Sequence, residues 1–329
     1  VNLPVAELHI HLEGTLEPEM IMSLAAKHSI ELPYGSIDEL RAQYEFSNLQ
    51  SFLDLFYANM LVLRTREDFH EITMAYLQRA HASGVRHVEL FFDPQAHVER
   101  GMDLRDVIAG IRDALNEAQD RWGISHKLIA CFWRHAPASE ALELLRLMIA
   151  EKHDIDGIGL DSSELGFPPE LFVEVFDLAR ESGLHVVAHA GEEGPADYIW
   201  QALDLLKVER VDHGIRCLDD QELVQRLVAE QMPLTVCPLS NIRLRAVDTM
   251  ADHPLPAMLE AGLKVSVHSD DPAYFGGYMD ANVASLIQTF NFSTEQLAQL
   301  ARNSFESSFI SDSAKRERLA EVDAWVNQR

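Results

Sequence analysis

What this chain has little of already narrows what it can be. Its three cysteines, Cys131, Cys217 and Cys237, are odd in number and widely spaced, with no C-x-x-C pair among them. That excludes a disulfide framework and a cysteine-rich metal ribbon, and leaves reduced packing residues. No apolar run approaches the roughly 20 residues that span a bilayer, and no Pro/Gly/Ser-rich or low-complexity tract divides the chain into modules. Cationic residues are scarce: 27 Lys and Arg stand against 53 Asp and Glu, for a formal charge of −26. Nucleic-acid binding rests on clustered cations that neutralise phosphates, so a polyanionic partner is excluded and a small neutral ligand is not. With neither a signal-type segment nor a membrane span, a cytoplasmic location is the expectation.

What is there is a repeated alternation. Short apolar, β-branched runs at 5–11, 86–92, 128–133, 157–161, 185–190, 210–212, 234–237 and 264–268 precede stretches of helical spacing such as 104–118, 138–150, 170–181 and 220–230. Eight β/α units are the number at which a parallel sheet closes into a barrel filled by side chains. The pattern therefore predicts an α/β fold, one (β/α)8 TIM-type barrel over 1–329. The first connection, 14–84, is far longer than a crossover needs, which predicts a helical lid inserted after strand one. In it Leu49, Phe52, Leu53, Phe56 and Tyr57 form an apolar stripe. Such a stripe is ordinarily core; at a barrel's mouth it serves equally to cover a pocket and exclude water.

Polar groups stand where these runs stop, the end of a barrel strand at which active-site residues gather. They are His9-Ile-His11, His189-Ala-Gly-Glu192, Asp212-His213-Gly214 and Ser269-Asp270-Asp271. Fifteen histidines make any one such motif cheap by chance; the coincidence of four is not. His9 and His11, two apart on a strand, point to the same side. With His189 and Asp270 they offer three imidazole nitrogens and a carboxylate oxygen, which suits a Zn²⁺ that keeps a position open for water and lowers that water's pKa to roughly 7. Barrel hydrolases with H-x-H on the first strand often use two metals bridged by a carbamylated lysine on the fourth. Here that strand ends Gly159-Leu160-Asp161-Ser162-Ser163-Glu164 without lysine, which predicts one zinc per chain.

Glu192, three residues past His189, stands at the mouth, where a water-poor pocket would raise its pKa and let it deliver a proton to a substrate ring nitrogen. Its neighbour Glu193 is expected to be a surface charge. His213 adds an imidazole beside the metal-bound water, as general base or as a charge that steadies it, with direct ligation as the alternative. Asp271 cannot share the ion with adjacent Asp270 from one strand, and is better placed to hydrogen-bond substrate.

Taken together, H-x-H-L-E-G at 9–14, H-A-G-E at 189–192, D-H-G at 212–214, V-C-P-L-S at 236–240 and S-D-D-P at 269–272 resemble the adenosine and adenine deaminases of the amidohydrolase superfamily. The likeness extends to N-S-F-E-S-S-F at 303–309. It implies that His9, His11, His189 and Asp270 bind zinc, that Glu192 protonates N1 of a purine, that His213 orients the attacking water, and that Asp271 meets the purine near N7. Nucleoside-acting members usually carry Asp where this chain has Glu13, and use it near the ribose; the longer side chain and the runs 159–166 and 269–277 look more like the adenine deaminases. The expected substrate is thus adenine, with adenosine, N6-substituted adenines, or a non-catalytic zinc and purine binder as alternatives. His268, where close relatives usually have Asn, is expected beneath Asp270 as a partner of that carboxylate. Homo-oligomerisation is left open.

Overall fold

The apolar runs fold as eight strands in a computed structural model that describes residues 2–329. They are β1 (Val5–His11), β2 (Val85–Phe92), β3 (Ser125–Trp133), β4 (Gly157–Asp161), β5 (His185–Ala190), β6 (Arg210–His213), β7 (Pro233–Val236) and β8 (Lys264–Val267). Each pairs in parallel with the next, in sequence order. The predicted runs agree to within three residues. β3 starts earlier than its apolar run because polar Ser125, His126 and Lys127 still pair with His87, Val88 and Glu89.

The seam between first and last strand lies at the residues of interest. Just past β8, Asp270 bridges Ile10: His11 N donates to Asp270 O at 3.0 Å and Asp270 N to His9 O at 3.1 Å. Closure of the eight-stranded barrel and assembly of the His9, His11 and Asp270 group are therefore one event.

The barrel interior holds Phe91, Ile129, Cys131 and Val187 as an apolar plug. Beneath the mouth it also holds a buried ion pair, Arg210 with Glu89, at 2.6 Å. Outside, helices bury one face each. In Leu104–Trp122 the buried residues Val107, Ile108, Ile111, Ala114, Leu115 and Ala118 recur at three- and four-residue spacing. Full burial of each larger aliphatic there contributes about 1.5–3 kcal/mol. Asp103 caps that helix through Arg105 N at 2.9 Å, and Gly123, at φ 69°, ends it. No helix among the described residues is long and apolar enough to cross a membrane.

The long first connection contains helices Pro18–Lys27, Ile37–Arg41, Leu49–Asn59 and Arg66–Ala82. The last packs along Leu104–Trp122 in the barrel's outer layer. Leu49–Asn59 crosses the mouth. Its start is fixed by a capping box between Asn48 and Ser51, and its Phe52 ring packs 4.7 Å from Phe275.

Candidate active site

His9 and His11 leave β1 on the same side, as two-residue spacing dictates, and meet His189 from the end of β5 and Asp270 from the closing seam. Asp270 Oδ1 lies 3.3 Å from His9 Nε2 and 3.5 Å from His11 Nε2, while His11 Nε2 and His189 Nε2 are 3.2 Å apart. One ligand atom from each of the four residues falls within 4.8 Å of the others, all buried. His9 Nε2 has no hydrogen-bond partner, and a buried nitrogen left so is costly unless something fills the space it faces. The residues fit a metal ion that takes nitrogen and oxygen donors and leaves one position open.

Electrostatics supports the same arrangement. Burial lowers His11 to about 3 and, with His9 and His11 beside it, takes His189 well below the imidazole range, so both stay neutral and keep a lone pair for a metal. Burial alone would raise Asp270, but attraction to His9 outweighs it and holds the carboxylate ionised. His9 is raised despite burial, because Asp270 and Asp212 draw positive charge toward it.

Two relays set the imidazole tautomers. His9 Nδ1 donates to Thr235 Oγ1 at 3.0 Å, and the Thr235 hydroxyl donates in turn to Asp212 Oδ1 at 2.8 Å. Asp212 lies 3.5 Å from the buried Arg210 Nε, so His9 is braced from beneath with Nε2 free to face the cluster. On the other side Leu255 N–H donates to His253 Nδ1, His253 Nε2–H to Asn241 Oδ1, and Asn241 Nδ2 to His213 Nδ1, at 3.1, 3.1 and 3.3 Å. His213 thus carries its proton on Nε2, which faces Glu192 Oε2 at 3.5 Å and Asp270 Oδ2 at 3.7 Å. Burial, then His9, lowers its pKa to about 3, and it is neutral. His213 (φ 63°) and Asp270 (φ 64°) both occupy the left-handed region, a backbone strain typical of functional sites.

A cavity opens on this group, and Glu192, His213 and Asp271 line it with three of the four cluster residues. Glu192 Oε1 and Asp271 Oδ1 are buried without partners. Both carboxyls lie well above the usual carboxylate range: Glu192 through burial and then the charges of Asp270, Glu164 and Glu193, Asp271 through burial and then Asp270. Their surroundings thus favour the protonated form of each. Gly14 permits the close approach, since a Cβ there would fall 2.0 Å from Asp271 Oδ1. Leu49, Phe52, Leu53, Phe56 and Tyr57 of the crossing helix, with Leu244, Asp161 and Ser162, complete the lining. Tyr57 ties that helix down by donating to Ser162 Oγ at 3.0 Å.

Three expectations need correction. Glu193 is half-buried, not a surface charge: its carboxylate accepts from Leu49 N at 3.1 Å and anchors the start of the crossing helix. His268 does not hydrogen-bond Asp270. Its Nδ1 accepts from Leu8 N at 3.0 Å and its Nε2 donates to Ser266 Oγ at 2.8 Å, which uses both nitrogens. Glu13 is buried and turned from the cavity; its Oε1 accepts from Asp93 N at 3.1 Å and His97 Nε2 at 2.7 Å, so it ties the loops after β1 and β2 together. Sequence reasoning missed Thr235, Asn241, His253, and the pair Asp93 and Asp161. Burial and then Glu13 raise Asp93 to about 7; burial and then Asp93 raise Asp161, whose Oδ2 lies 3.6 Å from His11 Nδ1.

Residues 4–325 match the family model described as adenosine deaminase. The chain is 53% identical over 325 residues to the adenine deaminase of Hahella chejuensis, covering 99% of this chain and 97% of that one. The crystal structure of adenine deaminase from Arthrobacter aurescens superposes with a TM-score of 0.98 at 57% identity over 99% of both chains. An amidohydrolase from Burkholderia ambifaria, solved with bound zinc, gives 0.91 at 30% identity over 99% of this chain and 91% of that one. A match across nearly the whole length, on a parallel barrel whose closing seam gathers the cluster, shows that the chain belongs to the adenosine deaminase family and is a hydrolase acting on C–N bonds of cyclic amidines.

Proposed function

We propose that this protein hydrolyses adenine to hypoxanthine and ammonia with one zinc ion per chain, held by His9, His11, His189 and Asp270. The observation that carries the reading is the placement of two buried carboxyl oxygens without partners, Glu192 Oε1 and Asp271 Oδ1, in the cavity that opens on the four-residue cluster. Adenine presents acceptor nitrogens, N1 and N7, on either side of its C6 amino group, and two acids flanking one metal position suit that pattern. Glu192 gives its proton to N1, which draws electrons from C6 and readies it for attack. Asp271 donates a hydrogen bond to N7 and fixes the ring in plane. His213, with its proton on Nε2, holds the attacking water through that water's oxygen. When bound, zinc supplies a Lewis acid that lowers the pKa of a water beside C6. The water oxygen ends on C6 and the amino nitrogen leaves as ammonia, so one water is consumed for each ammonia released.

Two further facts favour the free base. The relatives described above that are more than half identical to this chain are adenine deaminases. Five of the lining residues are apolar, Leu49, Phe52, Leu53, Phe56 and Leu244, beside polar Tyr57, Asp161 and Ser162, and a ribose hydroxyl set against the apolar ones would be buried without a partner at about 1–3 kcal/mol. Measuring kcat/KM for adenine, adenosine and an N6-alkyl adenine through ammonia release tests the reading. Adenine should exceed the others by at least ~10², the scale on which unpaired buried polar groups discriminate; a preference for adenosine would refute it.

A further inference from the structure

We propose that Glu164 is a positioning residue that holds Glu192 in place for proton delivery by gripping the backbone of the turn that carries it. Glu164 lies in the loop after β4 and is 1% exposed. Its Oε1 accepts from Gly191 N at 2.6 Å, and its Oε2 from Glu192 N, Glu193 N and Gly194 N at 3.1, 2.8 and 2.8 Å. Four successive amides converging on one point form the concave nest that elsewhere binds anions. Here the chain fills the nest with its own carboxylate.

The geometry around it is built for that contact. Gly191, at φ 72°, lets the chain turn so that the amides point inward. A Cβ on Gly194 would fall 2.6 Å from Glu164 Oε1, so glycine there is what admits the carboxylate. The other end of the turn is held by fully buried Arg134, whose NH1 donates to His189 O at 2.7 Å. Oε2 takes three of the four amides and Oε1 one, so both oxygens of the carboxylate are turned to this one stretch of backbone. Glu164 does not line the cavity. It therefore acts on substrate through Glu192, and this inference rests on Glu192 being the proton donor.

The test is a double-mutant cycle on the zinc-loaded full chain with adenine as substrate. Glu164→Gln keeps the size but offers one acceptor oxygen and turns an NH2 toward amide donors, so the turn must shift. We expect kcat to fall by about 10², the scale of an ångström-level misplacement, with zinc content unchanged. In a Glu192→Gln background the same change should cost less than about 2-fold, because the group it positions is already inert. Gly194→Ala presses on the same carboxylate, and on the Tyr198 ring 2.7 Å from the new Cβ, and should reproduce the pattern, which covers the case in which Glu164→Gln folds poorly. Equal losses with and without Glu192, or full activity in both Glu164→Gln and Gly194→Ala, would overturn this proposal alone. A fully active Glu192→Gln enzyme would instead overturn the proton-donor reading beneath it.

Discussion

Replacing Thr235 by valine takes one oxygen from beneath the cluster of His9, His11, His189 and Asp270 and leaves the shape of the side chain. That oxygen accepts from His9 Nδ1 at 3.0 Å and passes the contact to Asp212 at 2.8 Å. Without it, His9 keeps a buried N–H with no acceptor, and nothing prefers the tautomer that turns a lone pair to the metal. Partners of this kind are worth about 10–100-fold in metal affinity, or ~1.4–2.7 kcal/mol. The cost of one buried unsatisfied donor, about 1–3 kcal/mol, gives the same range independently. Competition against a chelator of known affinity reads the effect as a zinc dissociation constant. Thr235→Val should bind zinc about 10- to 100-fold more weakly, and Thr235→Ser, which retains the hydroxyl, should stay close to the parent. If valine binds zinc as tightly as threonine, or serine is as weak as valine, the relay does not set the ligand and the reasoning fails.

Other outcomes follow from the same geometry. Glu192→Gln and His213→Asn should each keep zinc, by elemental analysis, while the rate on adenine falls by about 10² to 10⁴; loss of zinc in the His213 variant would mark it as a ligand. Burial raises Glu13 to about 7 from an ordinary 4.5. Stability from that group is full below the unfolded pKa and is lost as pH rises through about 7. Urea melts of metal-free protein should therefore show Glu13→Gln gaining on the parent between about pH 5 and 8, by roughly 3 kcal/mol, because each tenfold change in proton affinity is worth about 1.4 kcal/mol; a constant difference across that window would contradict the role given to burial. Phe56→Ala opens the apolar wall above the cavity and should raise KM for adenine and speed amide exchange along Leu49–Asn59; unchanged exchange would show that this ring does not hold the helix down.

The barrel and the convergence of His9, His11, His189 and Asp270 were legible in the sequence because both depend on short-range pattern. Apolar runs mark strands, strand ends mark the mouth, and two-residue spacing fixes the side on which His9 and His11 project. Proximity in sequence misled where a turn intervened: Glu193, adjacent to Glu192, swings away to meet Leu49 N, a contact across 144 residues. His268 follows strand alternation inward, but Leu8 N and Ser266 claim its nitrogens. Glu13 carries a family-specific letter, yet its carboxylate is spent on the neighbouring loop. Thr235, Asn241 and His253 left no local signal, since an ordinary strand Thr and loop Asn gain their roles only when β6, β7 and the loops beyond them meet.

Metal dependence is the most direct test of the proposed chemistry. Chelated, dialysed protein should release no ammonia from adenine; adding back zinc should restore turnover, saturating near one ion per chain. Full turnover in metal-free protein, or saturation near two ions per chain, would contradict it.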